Sequence, residues 1–160
     1  MIRWLVLALL LPMSALAKDF DIRVGGSRPA DPDVMALVRR YTPHLMAWTS
    51  IEDRDAKRRP MVTDSYFYHD LNGSDIGFDG LTARHKKNDL RLTDCRFFDA
   101  VLYQEENSAI LTYKSWQRGS DKGHPFEGTG SAAVVMTRTA KGWRVTADIM
   151  GQDPPPDRKE

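Results

Sequence analysis

Phe20, Ile22 and Val24 alternate with charged neighbours, the period of two of a half-buried strand, until Gly25-Gly26-Ser27-Arg28-Pro29 ends the pattern. The period then changes. Val34, Leu37, Val38 and Tyr41 recur at helical spacing behind Asp31-Pro32-Asp33, where an aspartate can cap and a proline fits the first turn. Pro43 interrupts this helix because it lacks a backbone donor and disfavours helix in the residue before it, and 44–48 resumes as a further turn. A short charged helix is predicted over 52–59, and its mixture of signs reads as a solvated face.

From Ser65 the chain turns to strand chemistry. Tyr66, Phe67, Tyr68 and His69 form an aromatic run ending in the turn Asp70-Leu71-Asn72-Gly73, and a short helix is predicted over 80–90. Long strands are predicted over 92–103, 108–117, 128–138 and 143–150, separated by Gln104-Glu105-Glu106-Asn107, the glycine-rich stretch 119–123 and Ala140-Lys141-Gly142. Helices first and an antiparallel meander afterwards is an α+β pattern. The organisation that follows is a leader over 1–17, a lead-in over 18–30, one folded domain over 31–151 and a proline-containing, charged tail over 152–160.

Composition sharpens this by exclusion. The 23 Lys and Arg residues almost cancel the 22 Asp and Glu residues, far from the basic excess that neutralising a phosphate backbone needs, so no nucleic-acid partner is expected. The single cysteine, Cys95, excludes an internal disulfide and a thiolate zinc cluster, and its apolar neighbours make it an inert core thiol. Arg3, the apolar run from Trp4 to Leu11, the break at Pro12 and Ala15-Leu16-Ala17 compose a secretory signal with an A-x-A cleavage site. The apolar run is far shorter than the roughly 18 residues a span requires, so no stable membrane anchor is expected. Cleavage near Ala17 predicts a neutral mature chain in the periplasm or secreted.

The Val38-Arg39-Arg40-Tyr41 segment on the first helix, Tyr66 to Gly73 on the first long strand, Gly80-Leu81-Thr82 opening the short helix and Gly142-Trp143-Arg144-Val145 on the last strand carry a resemblance by their order and spacing. Over about 31–151 the chain resembles the nuclear transport factor 2-like superfamily, in the texture of its SnoaL-like and ketosteroid-isomerase-like members. The resemblance implies a cone-shaped, strongly curved antiparallel sheet packed on N-terminal helices, a pocket inside the cone, and often a homodimer through the outer sheet face. The residues themselves support a hollow: a curved sheet wrapped on helices leaves a concavity, and Trp48, Tyr66, Tyr68, Phe97, Tyr113 and Trp116 are aromatic candidates to line it beside Tyr41. A small apolar or aromatic molecule is the expected partner.

Asp70 shares a strand face with Tyr66 and Tyr68 by alternation. In the ketosteroid isomerases that this segment is similar to, the aspartate of such an Asp-x-x-Gly turn is the general base, and the tyrosine ending the Arg-Tyr pair on the first helix donates to the developing oxyanion; Asp70 and Tyr41 match those positions. Where those isomerases place a third-strand carboxylic acid, this chain has Ser131, with Thr129 as the alternative register, so only a hydroxyl donor is available and steroid isomerisation itself is disfavoured. The four histidines, His44, His69, His85 and His124, lack metal-ligand spacing, there is no Gly-x-Ser-x-Gly elbow, and Gly128-Thr129-Gly130 lacks the lysine and helix of a phosphate cradle, so neither metal nor cofactor is expected. Two functions stay open at the level of sequence: a cofactor-independent isomerase, cyclase or hydratase with Asp70 as base, and a non-catalytic apolar-ligand binder or dimeric accessory protein.

Overall fold

The computed structural model describes residues 20–26, 29–46, 48 and 50–151. The leader expected over 1–17 and the tail expected over 152–160 lie outside the described residues. Helix α1 (Pro32–Tyr41) starts where the sequence places it, with the Asp31 side chain accepting from the Asp33 amide, and buries Val34, Leu37, Val38 and Tyr41. Asp31 also accepts from Arg138 and from the Trp143 indole, at 2.5 and 3.1 Å, so the cap ties the helix start to the far strands of the sheet. A one-turn helix α2 (Pro43–Met46) and helix α3 (Ile51–Arg58) follow, the latter capped by Ser50 and continued by a 3-10 turn over Arg59–Met61.

The remaining elements are β1 (Ile22–Val24), β2 (Val62–His69), β3 (Asp75–Gly77), helix α4 (Phe78–Lys87), β4 (Arg91–Gln104), β5 (Ser108–Asp121), β6 (His124–Thr139) and β7 (Gly142–Gly151). They form a curled, open, seven-stranded sheet in the order β1-β4-β5-β6-β7-β2-β3. Neighbours from β4 to β7 are antiparallel, as the meander pattern predicts, whereas β1 joins β4 and β2 joins β7 in parallel, so the sheet is mixed. The glycine-rich stretch 119–123 is mostly strand rather than separator. Only Lys122 and Gly123 turn, both at positive φ, as a two-residue hairpin with matching twist requires. At Gly119 a side chain would run into the Arg91 carbonyl, so glycine there permits the close approach of β5 to β4.

Bulges bend the sheet and choose which residues face inward. Alternation predicts one inner set per strand, but β4 changes register between Leu92 and Asp94 and again between Phe98 and Val101. Its buried residues therefore shift from Leu92 to Cys95 and Phe97, then to Ala100 and Leu102. On β7, Val145 pairs with Met136 and Ala147 with Val135, leaving Thr146 as the extra residue. Trp143 and Val145 are buried before it and Asp148 is buried after it. The concave face packs on α1, α3 and α4 to form one core that includes Tyr41, Leu81, Leu102, Leu111, Val134 and Met136.

Candidate functional site

Asp148 lies on the inner face of β7 with its side chain 10% exposed. Three donors meet its Oδ2: the Tyr41 hydroxyl from α1 at 2.6 Å, the Tyr66 hydroxyl from β2 at 2.7 Å and Arg58 Nη2 from α3 at 2.8 Å. Arg58 Nη2 also donates to both phenol oxygens, at 2.5 and 3.2 Å, so each tyrosine gives its proton to the carboxylate and accepts from the guanidinium. Burial, and then the negative charge of Asp148, raise the proton affinity of Tyr41 and Tyr66 well above that of an ordinary phenol. Burial works against the charge on Arg58, but Tyr41, Asp148 and Tyr66 outweigh it and hold the guanidinium protonated.

A second buried pair lies next along α3. Arg54 Nε donates to Asp55 Oδ1 at 2.7 Å, its Nη2 lies 2.5 Å from the same oxygen, and the Thr82 hydroxyl of α4 reaches Asp55 Oδ2. Ile51, Arg54, Asp55 and Arg58 form the buried stripe of α3, while Glu52, Asp53 and Lys57 face solvent. The solvated-face reading of 52–59 therefore holds for only one side of the helix. The other side carries two arginines into the core because each has a carboxylate there.

Beside these pairs a cavity of about 130 Å³ opens between the helices and the sheet, lined by Leu45, Trp48, Arg54, Arg58, Tyr68, Leu81, His85, Leu90, Leu92, Phe97, Tyr113, Gln117, Phe126, Asp148 and Met150. Trp48 is fixed at its edge by two backbone hydrogen bonds with Leu92, with the Arg54 guanidinium over its ring at 4.4 Å and the His85 ring stacked on it at 5.8 Å. Burial, reinforced by Arg54, Arg84 and Arg58, pushes the His85 pKa down to about 3, which leaves a neutral imidazole in the wall. Four buried polar atoms of lining residues have no hydrogen-bond partner among the described residues: the acceptor Asp148 Oδ1, His85 Nδ1, and the donors Arg54 Nη2 and Arg58 Nε. An outer hollow of about 400 Å³ adjoins the cavity and shares Gln117, Phe126 and Met150 with it.

No protein-family model matches the sequence, and no curated protein matches it. Solved structures do match the fold. An NTF2-like protein from Cytophaga hutchinsonii superposes with a TM-score of 0.63 at 10% identity, over 75% of this chain and 95% of that one. An NTF2-like protein of unknown function in nutrient uptake from Rhodospirillum rubrum gives 0.62 at 17% identity, over 73% and 98%. Another, of unknown function, from Prochlorococcus sp. NATL2A gives 0.56 at 15% identity, over 73% and 93%. The chain has the nuclear transport factor 2-like fold.

Within this nuclear transport factor 2-like cone, Trp48, Tyr68, Phe97 and Tyr113 line the cavity. Tyr66 and Tyr41 lie behind it, buried, with their hydroxyls on Asp148. Trp116 is on the other face of β5, because Tyr113, Ser115 and Gln117 take the inward positions; its ring lies between Arg96 and Arg118, and its indole donates to Glu127. Ser131 likewise alternates with the inward Ala132 and Val134 of β6, and lines a separate shallow hollow with Asp99 and Lys114. Neither Trp116 nor Ser131 borders the cavity.

Asp70 does not border it either. Its Oδ1 accepts from the amides of Asn72 and Ser74 and its Oδ2 from Arg84 at 2.7 Å, so both oxygens are used in holding the turn after β2. The Ser74 amide, with Arg84, holds this carboxyl below the usual carboxylate range, the opposite of what desolvation beside aromatic walls would give. The aspartate that the fold brings together with Tyr41 is Asp148, which the sequence reading missed. One signal for it was present: Asp148 is the only charged residue between Val145 and Met150. For Arg54 and Arg58 the signal was their spacing from Ile51, which continues that residue's stripe. Cys95 is buried and its thiol is pushed up to about 12 by burial, so it is not poised as a nucleophile.

Proposed function

We propose that this chain is an exported binding protein that holds a small, largely apolar molecule in the cavity beside Asp148. The observation that carries the reading is the composition of that wall: aromatic and aliphatic side chains with a few polar points on Asp148, His85, Arg54 and Arg58, the usual make-up of a small-molecule site. Export is supported by the leader pattern over 1–17, and the absence of a charge excess fits a partner that is not a polyanion. The base role proposed for Asp70 needs a carboxylate directed at the substrate, and Asp70 is directed into its own turn, so the proposal stops at binding.

Native purification followed by mass spectrometry tests it. A stoichiometric small molecule is expected with the wild type and not with Leu45→Trp, which fills the cavity. Retention by a folded Leu45→Trp chain would place the ligand elsewhere, and a ligand-free wild type under all conditions would remove the reading. Expression of the full chain in a Gram-negative host is expected to yield a periplasmic product beginning at Lys18. A full-length chain confined to the cytosol would remove the export half.

A further inference from the structure

Asp148 uses one oxygen to organise the fold and leaves the other without a partner among the described residues. All three donors, Tyr41, Tyr66 and Arg58, converge on Oδ2, whereas Oδ1 is buried, has no hydrogen-bond partner among the described residues, and belongs to a residue that borders the cavity. An unmatched buried acceptor is costly, so one carried by a residue of the cavity wall bears on what should sit there. A carboxylate oxygen only accepts, which calls for an O–H or N–H on the guest, while the donors without a hydrogen bond on residues of the same wall, Arg54 Nη2 and Arg58 Nε, call for an oxygen, and a hydroxyl supplies both.

Charge narrows the class. Arg58 is paired with Asp148 and Arg54 with Asp55, all four side chains being buried, so the wall carries no net charge and an ionic guest would add an uncompensated one. Size narrows it again. About 130 Å³ is close to the roughly 150 Å³ of an apolar cavity that accepts benzene, and the surrounding rings of Trp48, Tyr68, Phe97 and Tyr113 suit a flat guest. We infer that the cavity takes a neutral, single-ring hydroxyl compound of the phenol class, whose O–H donates to Asp148 Oδ1. This rests on the cavity being the binding site and adds the chemistry of its occupant.

The test is calorimetric titration of the wild-type chain at neutral pH with phenol, anisole and benzoate, which share a ring and differ in donor and charge. Phenol is expected to bind about tenfold or more tightly than anisole, because a hydrogen bond to a charged group is worth about 1.5–3 kcal/mol. Benzoate is expected to give no heat. Phenol binding should disappear in Leu45→Trp. If phenol and anisole bind equally and both are lost in Leu45→Trp, the cavity is a binding site and the donor inference is overturned. Preferred binding of benzoate overturns it too. If none of the three binds, the phenol class is wrong, and the cavity reading is then decided by the co-purified molecule and its loss in Leu45→Trp.

Discussion

At Arg58 a single nitrogen faces two phenol oxygens and a carboxylate, with the side chain 2% exposed. Removing it leaves the Asp148 charge buried without a counter-ion. Arg58→Met is therefore expected to cost about 3–5 kcal/mol by urea denaturation, whereas Arg58→Met combined with Asp148→Leu should cost clearly less than the two single changes added together. Simple additivity would mean that the four groups do not act as a unit. His85 makes a second prediction at this scale. Its folded pKa, about 3, lies below the unfolded value near 6.5, so the unfolded chain binds the proton first as pH falls. Its contribution is thus intact above about pH 6.5 and is lost progressively toward pH 3. In thermal melts across that window the wild type is expected to lose more stability than His85→Asn, and parallel curves would contradict a buried neutral imidazole.

Element by element, what was legible in the chain depended on whether a regular period governed it. The helical spacing of Val34, Leu37, Val38 and Tyr41 placed α1, and alternation placed Tyr66 and Tyr68 on the inner side of β2 with Phe67 outside, where it is 36% exposed. Alternation failed wherever a register shift intervened, because one extra residue exchanges the two faces of a strand. Asp148 lies beyond such a shift, and its neighbours along the chain do not announce the three partners it meets from α1, α3 and β2. For the same reason the charges of α3 read as solvent-facing: the carboxylate that admits Arg58 to the core is 90 positions away. Asp70 failed differently, since an Asp-x-x-Gly turn is also what a turn-stabilising aspartate looks like. Two changes probe these elements. Deleting Thr146 removes the extra residue yet leaves Val145 opposite Met136 and Asp148 opposite Val134, so Asp148 should stay inward and the cost in denaturant titrations should fall well below the about 3–5 kcal/mol of losing the Arg58 pair. Gly119→Ala should cost about 1–3 kcal/mol, because the new methyl group overlaps the Arg91 carbonyl.

For the whole molecule, the curl of the sheet separates an interior that holds the cavity from an outer face that carries apolar side chains. Phe98, Tyr103 and Ile110 are 40%, 53% and 41% exposed, and Tyr103 and Ile110 are cross-strand partners. The homodimer implied by resemblance has its natural footing there. Sedimentation equilibrium is expected to show a dimer for the wild type and a monomer for Ile110→Lys, while a wild-type monomer at micromolar concentration would retire that expectation. The extra residue at position 146 reaches further than its own strand. Since the inward side chain of β7 is selected by where that residue falls, an extra residue placed beyond position 149 instead would present Ala147 and Ile149 to the cavity in place of an acid while the ladder reforms around it. Related chains can therefore exchange the polarity of their interior by a shift in spacing with every neighbouring amino acid kept, and position-by-position comparison would miss the change.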